Sequence, residues 1–509
     1  MRKLLTSLLM VIGSSLFSQN NNFNILSNEK VLGRNLLTDT EIKATEYIFP
    51  ERIHETYIDT VSGLLTVQLR GLSKNGNRLD ANGNILLYDL KAEKLKWTKE
   101  IAYRNSSLHQ FSNTMLYSVG NKIYCLDINN GNELWEVKNS INFVEPALNI
   151  GIGYKNKIYG YSNDLEGINL NNGDILWTKE INREYGWNDI IYINDSSFLI
   201  VAAGLHTINI KNGNGWDYNT ITGKKDTKVE IAGLINNKSM PAIEDYMIRD
   251  VVSNAYMDST AMYLSSREQL AKIDKLKGNI NWSNPFPKDL PSSSSIFIKD
   301  SILFLINKGY AFEGSRQIDF GKPFIAAYNK ETGKQKFFTL IDAKDNLIRG
   351  YNFLNNEIYL VFKNRIAKYS KETGKLILEK EFPAEQYGDL TYTVGNHVYV
   401  TKGDDFYSLP QSDPTKLYLC NDKGKIFVID SELNVIRRLY FADVYFFYLK
   451  TPKYNFIAKD KMTCLVNKEG RKVAEIEASK NSFLIGNTLY NMQNDRFFAF
   501  DLTDLLESK

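Results

Sequence analysis

An all-β propeller of four-stranded blades is the fold class this sequence predicts, on three observations. A motif recurs at a period near 40 residues, the segments before it alternate with period two, and the repeats carry no helical periodicity. Aromatic residues make up 12% of the 509-residue chain, with 30 Tyr and 27 Phe, a composition that suits strands better than helices. The spacing favours a single propeller of eight blades, with seven the close rival.

The clearest copy of the motif runs from Ile123 to Trp135. With Asp127 as position zero, Gly131 stands at +4 and Trp135 at +8. The same frame fits Asn169, Gly173 and Trp177, and again Asp274, Gly278 and Trp282. Asn329, Gly333 and Phe337 repeat it with another aromatic, and Ser370, Gly374 and Leu378 with an aliphatic. Asp89 and Trp97 keep the ends while Glu93 replaces the glycine, and Asp430 keeps only the beginning. Weaker copies run from His206 to Trp216, Tyr407 to Leu417, Thr463 to Ile476 and Phe497 to Leu506, some of them read as insertions.

Each position has a physical task. The alternating Tyr, Ile and Leu before position zero form a strand. Asp, Asn or Ser at zero accepts hydrogen bonds from backbone N–H groups just ahead and closes a tight turn. Glycine at +4 supplies the positive φ a short hairpin loop requires. The aromatic at +8 returns on the next strand as a large apolar anchor, which one hairpin cannot bury alone. Stacking against a neighbour must bury it. Successive position-zero residues lie 38 apart from Asp89 to Asp127, 42 from Asp127 to Asn169 and 41 from Asn329 to Ser370, the length of a four-stranded blade.

The N-terminus predicts export. Arg2 and Lys3 precede an apolar run from Leu4 to Ile12, followed by small and polar residues, which is the layout of a signal peptide. Residues 1–18 are assigned to it, 19–50 to an N-terminal extension and 51–509 to the propeller. No cysteine near this junction offers a lipidation site, and no later stretch has the roughly 18 apolar residues of a membrane-spanning helix. The expected location is the periplasm, the outer membrane or outside the cell. Lys and Arg number 62 against 59 Asp and Glu, so no basic field for nucleic acid exists.

The residues assign no catalytic centre, cofactor site or metal site. Cys125, Cys420 and Cys464 sit in strand-like runs and read as buried free thiols. His54, His109, His206 and His397 show no ligand spacing. The segment from Asp80 to Asn84 has the oxygen ligands of half a calcium loop and reads more plainly as a hairpin turn. Residues 212–250 interrupt the blade rhythm, because Asn169 and Asp274 lie 105 apart. Trp216, Asp217, Tyr218, Asp245 and Tyr246 make this a candidate binding loop. A second candidate is Tyr440 to Tyr454, with four aromatics from Tyr445 to Tyr448, where packing between blades is the plainer account.

The pattern resembles Ala-x-Asp-x-x-Thr-Gly-x-x-x-Trp, the mark of the PQQ-like (quinoprotein alcohol dehydrogenase-like) propellers. Asp127, Gly131 and Trp135 match it, Thr332 and Thr373 match the threonine before glycine, and Ala327 the alanine. The resemblance spans roughly residues 85 to 440 and implies motif residues that dock blades together. Dehydrogenases of this family use adjacent cysteines beside the quinone, and this chain has none. The resemblance is closer to the non-catalytic branch, such as the propeller subunit of the outer-membrane β-barrel assembly machinery. The leading expectation is therefore a protein-binding scaffold in the bacterial cell envelope, with envelope or outer-membrane proteins as partners. A glycan-binding or polysaccharide-active propeller is the alternative, and a quinone-dependent dehydrogenase ranks below both.

Overall fold

The computed structural model describes residues 25–507, apart from 74, 77, 103–105, 112–113, 157–160, 182–188, 203, 219–252, 289, 314–315, 342–346, 394–397, 403–404, 409–414 and 441–443. The predicted signal peptide lies outside the described residues. So do His397, Asp245 and Tyr246.

Antiparallel four-stranded sheets follow one another along the chain. The first is built from Ile53–Asp59, Leu64–Leu69, Asn82–Asp89 and Lys94–Ala102, paired in that order. Seven more follow, within residues 106–137, 139–180, 189–218, 256–285, 294–340, 350–381 and 390–440. Apart from a separate two-stranded hairpin, Tyr310–Glu313 with Arg316–Asp319, the remaining strands form one eleven-stranded sheet. It contains a ninth four-stranded run, from Val444–Lys450 to Lys472–Ile476. It also contains a tenth, in which Phe483–Ile485, Thr488–Gln493 and Arg496–Asp501 are completed by Thr40–Ile48. The described residues thus hold more four-stranded units than the eight that the spacing predicts.

One register identifies every unit. The residue on the second strand that faces position −2 of the third is Thr66, Leu116, Ile152, Leu199 or Tyr263 in the first five. In the last five it is Phe304, Tyr359, Tyr418, Phe456 or Tyr490. Alternation puts the neighbours of this residue on the opposite face, so each sheet is apolar on both sides. Apolar clusters accordingly join successive sheets: Leu87 and Trp97 meet Met115 and Tyr117, and Ile306 meets Leu360 and Phe362. The last cluster joins Tyr47, Tyr490 and Phe497 of the tenth unit to Leu65 and Val67 of the first. The succession of sheets therefore closes on itself.

The closure uses residues that the sequence sets apart as an N-terminal extension. Thr40–Ile48 pairs with Arg496–Asp501, and Leu26–Asn35 pairs with Thr40–Ile48 and, through Gly33 to Asn35, with Lys472–Ile476. Glu46, its side chain 1% exposed, takes ion pairs from Lys30 and Arg496 at 2.8 Å each. No local pattern announces that contact, because Glu46 and Arg496 are 450 residues apart.

The first strands converge. Tyr192 Oη donates to Glu145 at 3.2 Å, Asn254 donates to Ile296 O at 2.9 Å, and Arg349 donates to Leu390 O at 3.3 Å. Each contact joins the entry of one sheet to the first strand of a neighbour, which places first strands innermost and fourth strands outermost. Between the eighth and ninth units a hairpin, Val398–Lys402 and Asp405–Ser408, is interposed. Val398 and Val400 face Cys420 and Ile426 of the eighth unit, while Tyr399 and Phe406 face Ile457 and Cys464 of the ninth. The aromatic run at Tyr445 to Tyr448 is the first strand of the ninth unit, packed into these clusters.

Candidate binding surface

The motif residues meet across sheet boundaries. A Cβ added to Gly131, at φ +73°, would lie 2.8 Å from the Trp97 ring, so the preceding repeat's indole rests flat against bare backbone. Trp97 Nε1 also donates to Ile128 O at 2.9 Å. The same contact joins Trp135 to Gly173, Trp177 to Gly213, Trp216 to Gly278, Trp282 to Gly333 and Phe337 to Gly374. Each of these Trp side chains donates to the carbonyl just after position zero: Leu170, Ile210, Lys275 and Lys330. Position zero closes its turn as expected, with Asp127 Oδ1 accepting from Asn129 N at 2.8 Å and Asn329 Oδ1 from Thr332 N at 2.9 Å.

The ring stands at +8 because the fourth strand carries a bulge. Leu126 pairs with Glu133 and Cys125 with Trp135, which leaves Leu134 unpaired and 59% exposed. The bulge recurs at Leu176, Ile377 and Ile436, and the side chain there is again an exposed aliphatic. The copy beginning at Asn209 lacks the extra residue: Trp216 O accepts directly from Thr207 N, so the ring arrives at +7. A search in the +8 frame misses this repeat, and Trp216 then looks like loop. It is a partly buried docking ring on Gly278.

The other described members of the candidate loop are also held by their neighbours. Asp217 Oδ1 meets His206 Nδ1 at 2.7 Å and Lys179 Nζ at 3.1 Å. Tyr218 Oη accepts from Gln269 Nε2 at 2.7 Å. The half calcium loop is a turn entering Asn82–Asp89, where Asp80 Oδ1 accepts from Asn82 N.

In the copies that depart from the motif, another residue takes the glycine's conformation. Glu93 stands in for glycine at φ +49°. After Asp430 and Asn467 the loop is one residue shorter, so the left-handed residue moves from +4 to +3, at Leu433 (φ +57°) and Gly470 (φ +89°). With the loop one residue shorter, Arg437 takes the ring's register position in the Asp430 copy, and the next residue, Arg438, lies over Tyr387, 5.5 Å from its centroid.

All three cysteines are buried and unbonded to each other. Burial pushes the Cys125 and Cys464 thiols up to about 11, away from nucleophilic or metal-binding use at neutral pH. Among the described residues no three His, Cys, Asp or Glu side chains gather as a metal site, and no helix is long and apolar enough to cross a membrane.

Residues 76–284 match the family model described as outer membrane protein assembly factor BamB. Solved structures similar to the chain include BamB from Moraxella catarrhalis, 10% identical, covering 78% of this chain and 96% of that one at a TM-score of 0.32. Apo AztD from Citrobacter koseri is 11% identical, covering 70% and 91% at 0.31. A quinohemoprotein alcohol dehydrogenase from Pseudomonas putida is 7% identical, covering 74% and 71% at 0.29. Similarity at that level adds nothing to the fold described above. No curated protein sequence matches the chain. The repeat, its ring-on-glycine docking and the family match over residues 76–284 are together consistent with a PQQ-like propeller family.

Proposed function

We propose that the chain is a non-catalytic scaffold that binds proteins of the bacterial cell envelope after export. The observation that carries this reading is the match of residues 76–284 to an outer-membrane assembly factor model. The arrangement of side chains supports it. The repeat's recurring glycine and aromatic positions are occupied in docking sheet to sheet, and the three thiols are buried. What the repeat leaves outward is a recurring set of aliphatics on the fourth strands, with Leu134, Ile175, Ile377 and Ile436 each at least half exposed. Exposed apolar side chains of this kind suit a protein partner.

Cross-linking of the tagged mature chain in cell envelopes, followed by mass spectrometry, tests the reading. Recovery of outer-membrane barrel or assembly proteins is expected, and Ile175→Asp with Ile377→Asp should reduce it without unfolding the chain. Recovery of bait alone overturns it.

A further inference from the structure

We infer that the interface between the first and second sheets holds a binding site for a single neutral sugar residue. In nine of the ten four-stranded units the residue facing position −2 is large and apolar, and Ile152, Tyr263, Phe304 and Tyr359 pack toward the next sheet. In the first sheet it is Thr66. Two residues on, Gln68 stands where Tyr154, Ile306 and Val361 fill the corresponding interfaces.

This departure is built, not loose. Thr66, Gln68 and Gln110 are 1%, 4% and 3% exposed, so polar groups occupy a place that apolar side chains fill elsewhere. Thr66 Oγ1 donates to Gln110 Oε1 at 2.5 Å. Gln68 Nε2 donates to Glu55 Oε2 at 3.1 Å and to Leu108 O at 3.2 Å. With both amide hydrogens so engaged, Gln68 has its Oε1 to offer as an acceptor. A polar cluster where the other units are apolar is the kind of departure from local rules that functional sites carry.

A cavity of about 180 Å³ opens over this floor, with Glu55, Tyr57 and Phe111 in its walls. That is below the roughly 300–1,000 Å³ of sites for larger ligands, and suits one ring-sized molecule. A carboxylate and amide oxygens accept from adjacent hydroxyls, while aromatic rings offer apolar faces to the C–H side of a pyranose. Among the described residues the lining holds no Lys or Arg, and His109 is its one basic side chain. The site stands apart from the outward aliphatics of the scaffold reading, because it lies among first and second strands.

Saturation-transfer NMR on the full mature chain, with glucose, galactose, mannose and N-acetylglucosamine as probes, tests this. At least one sugar should bind saturably. Glu55→Gln and Tyr57→Ala, both exposed positions, should each weaken binding about tenfold at an unchanged melting temperature. Thr66→Leu, which restores the apolar repeat residue, should abolish binding while the fold is kept. The inference is overturned if no sugar binds, or if binding survives both Glu55→Gln and Thr66→Leu. Loss of a protein partner in Thr66→Leu, with no sugar bound by the parent, would also overturn it and assign the cavity to a partner's side chain. Sugar binding that persists when envelope cross-linking yields bait alone would uphold this site and remove only the scaffold reading.

Discussion

The sheets between residues 76 and 284 and those after residue 350 solve one packing problem with different residues. In the first region Trp97, Trp135, Trp177 and Trp216 each lie on a glycine of the next repeat and anchor an indole N–H on its backbone. In the second, Leu378 and Arg437 stand where the ring would be, and the turns after Asp430 and Asn467 are shortened. Register and apolar contact persist across both regions. The difference teaches that sheet-to-sheet burial sustains the ring of sheets, and that the Trp–Gly contact is an addition to it.

The comparison breaks most sharply at its strongest anchor. Trp177 is 8% exposed, rests on Gly213 and donates to Ile210 O, so Trp177→Ala should destabilise by about 3–5 kcal/mol. Leu378→Ala, at the same place in the other region, should cost clearly less, and denaturant unfolding of the two variants measures the gap.

The closing pair tests what holds the two ends together. Burial pushes the Glu46 carboxyl up, but the hydrogen bonds and charges of Lys30 and Arg496 outweigh it and hold it below the usual range. A folded value below the unfolded one stabilises fully above the ordinary carboxylate range, and this is lost as pH falls through the folded value. Glu46→Gln should therefore cost about 1–3 kcal/mol at neutral pH and flatten the acid limb of the stability profile. An acid limb identical to the parent's would count against the clasp.

Two backbone changes sharpen the comparison further. Gly131→Ala forces a side chain into the left-handed region against the Trp97 ring, and should cost about 1–2 kcal/mol. Glu93→Gly runs the other way: it relieves φ +49° at a position without a docking indole and should stabilise by about 0.5–1 kcal/mol. Thermal melts of the pair should move in opposite directions.

Seven repeats were readable because position zero, +4 and +8 are all local, and the bulge that sets +8 recurs with them. The Asn209 copy was readable only as the weak copy from His206 to Trp216, since loss of one bulge residue moves Trp216 by one place. The unit ending at Asp501 was readable only as the weak copy from Phe497 to Leu506, since its fourth strand comes from Thr40–Ile48. Thr66 illustrates the same limit at the candidate sugar site. A threonine in a strand is unremarkable until register aligns it with Tyr263 and Phe304.

By itself the sequence determined the local grammar: alternating strands, side-chain-capped turns, positive-φ glycines and a ring awaiting a surface. These follow from backbone sterics and short-range hydrogen bonds, which a stretch of about 12 residues contains in full. Tertiary structure alone decided how many units close the ring, which distant strand completes the last one, and where polar side chains interrupt an apolar interface. Those outcomes depend on which faces meet, and contacts between segments 450 residues apart leave no periodic trace in the chain.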